Sequence, residues 1–244
     1  MRFLLAAVAI AGLSGCETGA VSGFGNVVEG VLSSGGDTLP GGLTTAEIDA
    51  GLREALTLGT ERVSAQLGET DGFFGDNRIR IPLPDRLADL QDQLSQVGLS
   101  APLDDLELRI NRAAEASMPE AQRLVISAVR SITVEDALAI LNGGNTAATD
   151  FLRDRTEASL TDAFRPYVDS ALADSGAIQA FDSVTSRYGL ARLSNDLRSD
   201  ISDDAVALGL DGLFYYVGKE ERRIRENPVA RTSELLRKVF GSVQ

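Results

Sequence analysis

The chain has no histidine and no tryptophan, one cysteine at position 16, and only 5% aromatic residues. Without imidazole it cannot build a Ser-His-Asp or Cys-His nucleophile, a His-ligated zinc site, or a side chain that titrates near neutrality unaided. Any catalysis would fall to carboxylates, Lys, Tyr, Ser or Thr. A lone thiol excludes an intrachain disulfide and a thiolate metal cage. No cofactor and no metal are expected. Lys and Arg number 23 against 36 Asp and Glu, a formal charge of −13. That balance repels nucleic acid and anionic head groups alike, so no nucleic-acid partner is expected.

The single cysteine ends Leu13-Ser14-Gly15-Cys16, behind Arg2 and the apolar run Phe3 to Ala11. This run is too short to span a bilayer, which takes roughly 20 apolar residues. A basic n-region, a short h-region and small residues leading to a thiol form a secretory signal that looks like a bacterial lipobox. The expectation is diacylglyceryl transfer to Cys16 and cleavage before it. Residues 1–15 then form the signal, residues 16–43 the lipidated cysteine and tether, and residues 44–244 the domain. The predicted location is the cell envelope, lipid-anchored. Glu17 follows in place of a retention aspartate, which by analogy favours the periplasmic face of the outer membrane. Membrane contact is expected to run through the acyl chains rather than a basic patch.

Residues 17–43 are rich in Gly and Ser. Such a segment behaves as a flexible tether with a typical span of about 30 Å. Phe24, Val27, Val28, Val31 and Leu32 are spaced to allow a short helix within it.

From Thr44 onward the pattern is helical. Thr44-Thr45-Ala46-Glu47 reads as a capping box, and Ile48, Leu52, Ala55, Leu56, Val63 and Leu67 mark one apolar face up to Gly68. Gly51, Ala55 and Gly59 add a strip of small residues for close helix approach. Residues 68–75 read as a loop. Asn77 to Pro84 alternates with period two, but Pro82 and Pro84 exclude a central strand. The segment is predicted to be an extended arm, with Ile79, Ile81 and Leu83 inward and Arg78 and Arg80 outward. Helices are then predicted from Pro84 to Gly98 and from Pro102, with Pro119 a break or a new start. Others cover Val134–Leu141 capped by Thr133, and a long stretch from about Thr146 interrupted near Pro166. The last three are 177–188, 203–226 capped by Ser202, and 233–240. The fold class is all-α, a single bundle of about eight helices with an extended Pro-containing arm.

Four features invite a chemical reading. The acid pairs Asp104-Asp105, Glu135-Asp136 and Asp203-Asp204 fall in predicted first turns, where carboxylates complement the helix dipole and need no further role; Glu220-Glu221 is the fourth pair. Residues 212–219 have the wrong spacing for a phosphate loop, and Glu220 stands where Ser or Thr would hold Mg²⁺. Asp211 lies in an almost wholly apolar helix, Ala205 to Val217, and is read as central and either functional or paired with an arginine. Phe73 and Phe74, followed by Arg78 and Arg80, read as the lip of an anionic or amphiphilic ligand site. The alternative is that the phenylalanines plug the bundle and the arginines pair with the chain's own acids.

Several runs together carry a resemblance. They are Leu43 to Ile48, Gly51 to Leu56, Asp71-Gly72-Phe73, Ile79 to Pro84, Asn111 to Glu115, Glu135 to Leu138, Asp211 to Phe214, and Arg225 to Thr232. In this order they resemble the family called domain of unknown function forty-one ninety-seven, exported proteins of Gram-negative bacteria. The resemblance implies a shared helical domain and brings no reaction, ligand or catalytic residue. The functional expectation is a lipid-anchored envelope protein that binds or scaffolds, with an envelope protein or amphiphile as partner. Alternatives are a carrier with an amphiphile in an inter-helix cavity near Asp211, Phe73 and Phe74, and a carboxylate-based hydrolase.

Overall fold

The Thr44-to-Glu47 capping box forms as its residue types dictate. Thr44 Oγ1 accepts from the Glu47 amide at 3.1 Å, and the Thr44 amide donates to Glu47 Oε2 at 2.9 Å. The structure, a computed structural model, describes residues 44–227, 230 and 233–241. The expectations for Cys16, the signal and the tether lie outside the described residues.

Among the described residues there are eight helices: α1 (Thr45–Gly68), α2 (Asp85–Ser95), α3 (Ala101–Arg130), α4 (Val134–Asn142), α5 (Ala147–Ala173), α6 (Gly176–Arg187), α7 (Ala191–Glu226) and α8 (Glu234–Gly241). The all-α expectation holds for the described residues.

Four long helices make the core. Helix α1 packs on α3 and α7, and α5 packs on the other sides of the same two, so they occupy the corners of a four-helix bundle. Directions follow from paired residues. Arg53 donates to the Val129 carbonyl at 3.0 Å, while Gly68 abuts Met118, so α1 and α3 run antiparallel. Thr149 meets Glu221 and Arg165 meets Asp203, so α5 and α7 are antiparallel too. Every apolar position named for α1 is buried: Ile48, Leu52, Ala55, Leu56, Val63 and Leu67. Gly51 lets Val239 of α8 come close, and Gly59 does the same for Glu220 of α7.

Helix α1 is too short for its corner. It stops at Gly68 beside Met118, while α3 runs on beyond it toward Ala101. The arm completes that corner. Ile79, Ile81 and Leu83 are buried, as the alternation predicts, while Arg78 is exposed and Arg80 partly so. The arm is not extended throughout: the Ile79 and Arg80 amides donate to the Asp76 carbonyl at 3.0 and 2.8 Å, so residues 76–80 form a turn and the extended part follows it. Helix α2 lies beyond the arm and has no buried residue. Leu90 within it and Val97 just after it are exposed.

Three expected boundaries are overturned. Pro119 neither ends nor starts a helix, because α3 continues through it. The missing N–H costs about 3 kcal/mol in an isolated helix, but Met118 and Ala121 are fully buried on either side and hold the turn in register. Pro166 is likewise internal to α5, between the buried Phe164 and Val168. Ser202 does not cap a helix. Its hydroxyl donates to Asp169 Oδ1 of α5 at 2.6 Å, and α7 already begins at Ala191. Asp203 and Asp204 are therefore mid-helix, and Asp203 pairs with Arg165 at 2.7 Å.

Charged side chains cap helix ends from a distance. Glu221 of α7 accepts from the Ala148 and Thr149 amides at 3.0 and 2.9 Å, serving the N-terminus of α5, whose own Thr146 makes no side-chain cap. Arg225 donates to the Ile140 and Leu141 carbonyls at the end of α4, and Arg53 does so for the end of α3. Orphan backbone groups are satisfied across the bundle rather than within the local sequence.

Candidate functional site: the arm clamped between α3 and α7

The arm lies between α3 and α7, and each side chain that holds it comes from a position the helices fix. Along α3, Glu107, Asn111 and Glu115 recur at four-residue spacing and share one face. Glu115 Oε1 accepts from the Phe73 and Phe74 amides at 3.1 and 3.2 Å. Arg112 holds that carboxylate from its other oxygen at 2.6 Å and reaches Asp71 at 2.7 Å. Asn111 accepts from the Ile81 amide at 2.9 Å and donates to the Ile81 carbonyl at 2.8 Å. Glu107 takes Arg80 Nε at 2.7 Å.

Helix α7 supplies the opposite wall through Gly209, Gly212 and Tyr216. A Cβ on Gly212 would lie 2.9 Å from Phe73 Cε1 and 3.1 Å from Ile79 Cβ, so glycine is what admits the arm. Tyr216 closes the clamp. Its hydroxyl donates to Asp76, whose carboxylate also takes Arg78 Nε and Nη2 at 2.9 Å each. Those Arg78 bonds, outweighing partial burial, hold the Asp76 carboxyl well below the usual carboxylate range. Burial first, and then the hydrogen bond to Asp76, pushes the Tyr216 phenol above its ordinary value.

What faces solvent is a ridge of cations over rings. The Arg80 guanidinium sits 4.0 Å from the centre of Phe74. Tyr216 has Arg78 at 5.8 Å and the Lys219 ammonium at 5.2 Å, and it meets Tyr215 edge-on at 5.3 Å. Such contacts hold long basic side chains in place.

The sequence-predicted site residues divide accordingly. Phe73 is completely buried and plugs the bundle, while Phe74 is half-buried beneath Arg80. Arg78 and Arg80 pair with Asp76 and Glu107, the chain's own acids. Beside Gly212 the inter-helix space is occupied by Phe73.

Asp211 is corrected. It is not central: its side chain is 63% exposed and pairs with Arg153 at 2.8 Å, and Arg153 itself lies 4.6 Å over Phe214. From Ile201 to Glu221 helix α7 is buried around most of its circumference, but Asp203, Asp204, Ala207, Leu208, Asp211, Tyr215 and Lys219 form one narrow exposed stripe. The polar members of that stripe, at three- and four-residue steps, were the signal that places Asp211 outside.

Sequence reasoning missed Asp76, Glu107, Asn111, Glu115 and Tyr216 as the clamp. Their mutual contacts span up to 140 positions, and no local pattern marks them. Among the described residues, no cluster of three or more His, Cys, Asp or Glu is placed to hold a metal ion. No described helix is long and apolar enough to cross a membrane.

The runs Asp71–Phe73, Ile79–Pro84, Asn111–Glu115 and Asp211–Phe214, drawn from three regions of the chain, thus contribute to one device. No curated protein and no solved structure matches the chain. A match to the family described as "Protein of unknown function (DUF4197)" runs over residues 42–241, and the chain belongs to that family.

Proposed function

We propose that the chain is a lipid-anchored module of the bacterial cell envelope that works by binding rather than by turnover. Acyl chains on Cys16 would hold it at the periplasmic face of the outer membrane, and the ridge beside the clamped arm would meet an acidic segment of an envelope protein. The observation that carries this reading is the commitment of the acids around the arm. Asp76, Glu107 and Glu115 each accept from an arginine. Carboxylates fixed in this way hold a backbone and are poorly placed to move protons. Arg80 meanwhile commits only Nε to Glu107 among its described bonds, leaving guanidinium donors available for an acidic partner.

Two experiments test the two halves. Metabolic palmitate labelling should mark the wild-type chain and leave Cys16→Ser unmarked; an unlabelled wild type refutes the anchor. A photoreactive amino acid at Tyr215 should crosslink one envelope protein in intact cells, and Arg80→Glu should abolish that product. Crosslinks that survive the charge reversal refute the ridge as the contact.

A further inference from the structure

Helices α6 and α7 meet at a turn that combines arginines with exposed apolar side chains. From Ser183 to Asn195 there is no Asp or Glu, although the protein has 36 of them, and the segment carries Arg187 and Arg192. Both arginines are exposed. Between and beside them stand Val184, Tyr188, Leu190 and Leu193, exposed by 57, 72, 51 and 53%. Six large apolar side chains are more than half exposed among the described residues, and these are four of them. Isolated exposed leucines need no explanation, but a group concentrated in ten residues does.

The turn is built, not frayed. Gly189 takes φ +70, the left-handed conformation that glycine adopts without strain. The Leu190 amide then donates back to the Thr185 carbonyl at 2.7 Å, closing α6. Asp182 fastens the two helices together by accepting from Ser194 and Arg198. That pairing commits one of the two bordering acids, the other being the exposed Asp196, and holds the Asp182 carboxyl below its ordinary value, chiefly through Arg198. The apolar side chains are therefore presented at a fixed corner.

A comparison within the molecule separates this corner from ordinary exposure. Val97 and Leu99, the other two of the six, flank Gly98 between α2 and α3. Their surroundings are acidic, with Asp89, Asp92, Asp104 and Asp105 on the adjoining turns. An anionic surface would be repelled there and attracted at the α6–α7 corner.

We propose that the α6–α7 corner is a membrane-contact tip that inserts Tyr188, Leu190 and Leu193 into the interface of a bilayer with anionic head groups. Arg187 and Arg192 engage lipid phosphates. An amphipathic aromatic ring, aliphatic side chains and flanking guanidinium groups are the combination that the head-group layer accommodates. Charge complementarity selects a lipid surface over a purely apolar partner. The tip does not depend on the acyl chains at Cys16: an unlabelled Cys16 would refute the anchor and leave this contact standing.

The absence of tryptophan supplies the test. In the full chain carrying Cys16→Ser, Tyr188→Trp introduces a single reporter at the tip, and Leu208→Trp places one on the side of α7. Vesicles of phosphatidylglycerol and phosphatidylcholine should shift the emission of the Tyr188→Trp reporter to the blue, and brominated acyl chains should quench it. Pure phosphatidylcholine vesicles should do neither, and millimolar inorganic phosphate should not reproduce the shift. Arg187→Glu with Arg192→Glu should weaken vesicle binding at least about tenfold, with an unchanged circular dichroism spectrum. Leu190→Ser with Leu193→Ser should remove the quenching. Emission unchanged by anionic vesicles, equal effects with phosphatidylcholine alone, or equal quenching of the Leu208→Trp reporter would each overturn the proposal.

Discussion

The carboxamide of Asn111 hydrogen-bonds both backbone groups of Ile81, accepting from its amide at 2.9 Å and donating to its carbonyl at 2.8 Å. A side chain on α3 thereby does what a neighbouring strand would do for an extended segment. It holds the arm's backbone, which has no sheet to join, at a place where Asn111 is completely buried. Asn111→Leu removes both partners and strands two buried polar groups, at about 1–3 kcal/mol each. Denaturant unfolding should show a loss of about 2–5 kcal/mol. Asn111→Asp should be comparably harmful, because a carboxylate faces the Ile81 carbonyl. A loss below about 0.5 kcal/mol for both variants would mean the arm is not held here.

Gly212→Ala tests the close approach of arm and α7. Alanine gains about 1 kcal/mol of helix propensity, yet its methyl would lie 2.9 Å from the Phe73 ring. Overpacking should prevail, with a net destabilisation of about 1–2 kcal/mol. Phe73→Leu in the same chain should recover part of that loss, so the double mutant should be less destabilised than the sum of the singles.

Glu221 caps α5 from α7, through two amides and the Thr149 hydroxyl. Glu221→Ala should cost about 2–4 kcal/mol, since buried donors lose a charged acceptor and Arg225 loses one of its partners. Glu221→Gln keeps one acceptor and should cost less. Native-state hydrogen exchange should show the amides of Ala148 and Thr149 losing protection first in both variants.

The clamp should respond to alkali. Burial and Asp76 raise the phenol of Tyr216 above its ordinary 10.0, so the folded state binds this proton more tightly than the unfolded chain. Its contribution is complete below pH 10.0 and is lost as pH rises from there through the folded value. Thermal midpoints recorded from about pH 9 to 12 should fall more steeply for the wild type than for Tyr216→Phe. Parallel curves would show that Tyr216 is not coupled to the arm.

At the acid end, the depressed Asp76 carboxyl works in the opposite sense. Its contribution is present above the usual 3.8 and is lost as pH falls below that value. Asp76→Asn should therefore lower the midpoint at pH 6 and lower it clearly less near about pH 2. The same difference at both pH values would show that the charge on Asp76 has no part in holding the arm.

Much of the fold could be read directly from residue types. The Thr44 and Thr133 boxes, the inward face of α1, and the alternation that turns Ile79, Ile81 and Leu83 inward are short-range signals with local causes. The continuity of α3 through Pro119 and of α5 through Pro166 was not legible, because buried neighbours on other helices offset the local break. At the site, Phe73, Phe74, Arg78 and Arg80 were visible as a group. Their partners were not, since Glu107, Asn111, Glu115 and Tyr216 look like ordinary helix positions until the helices are packed.

By itself the sequence determined the helical class, the extended Pro-containing end of the arm at residues 80–84, and an overall acidity. Those follow from composition, periodicity and proline geometry, which act over a few residues. Only the tertiary structure decided that the arm completes the α1 corner, that Asp211 faces solvent with Arg153, and that glutamates and arginines cap helices other than their own. Those outcomes depend on which faces meet, because a buried backbone group must find its partner wherever the packing brings one near.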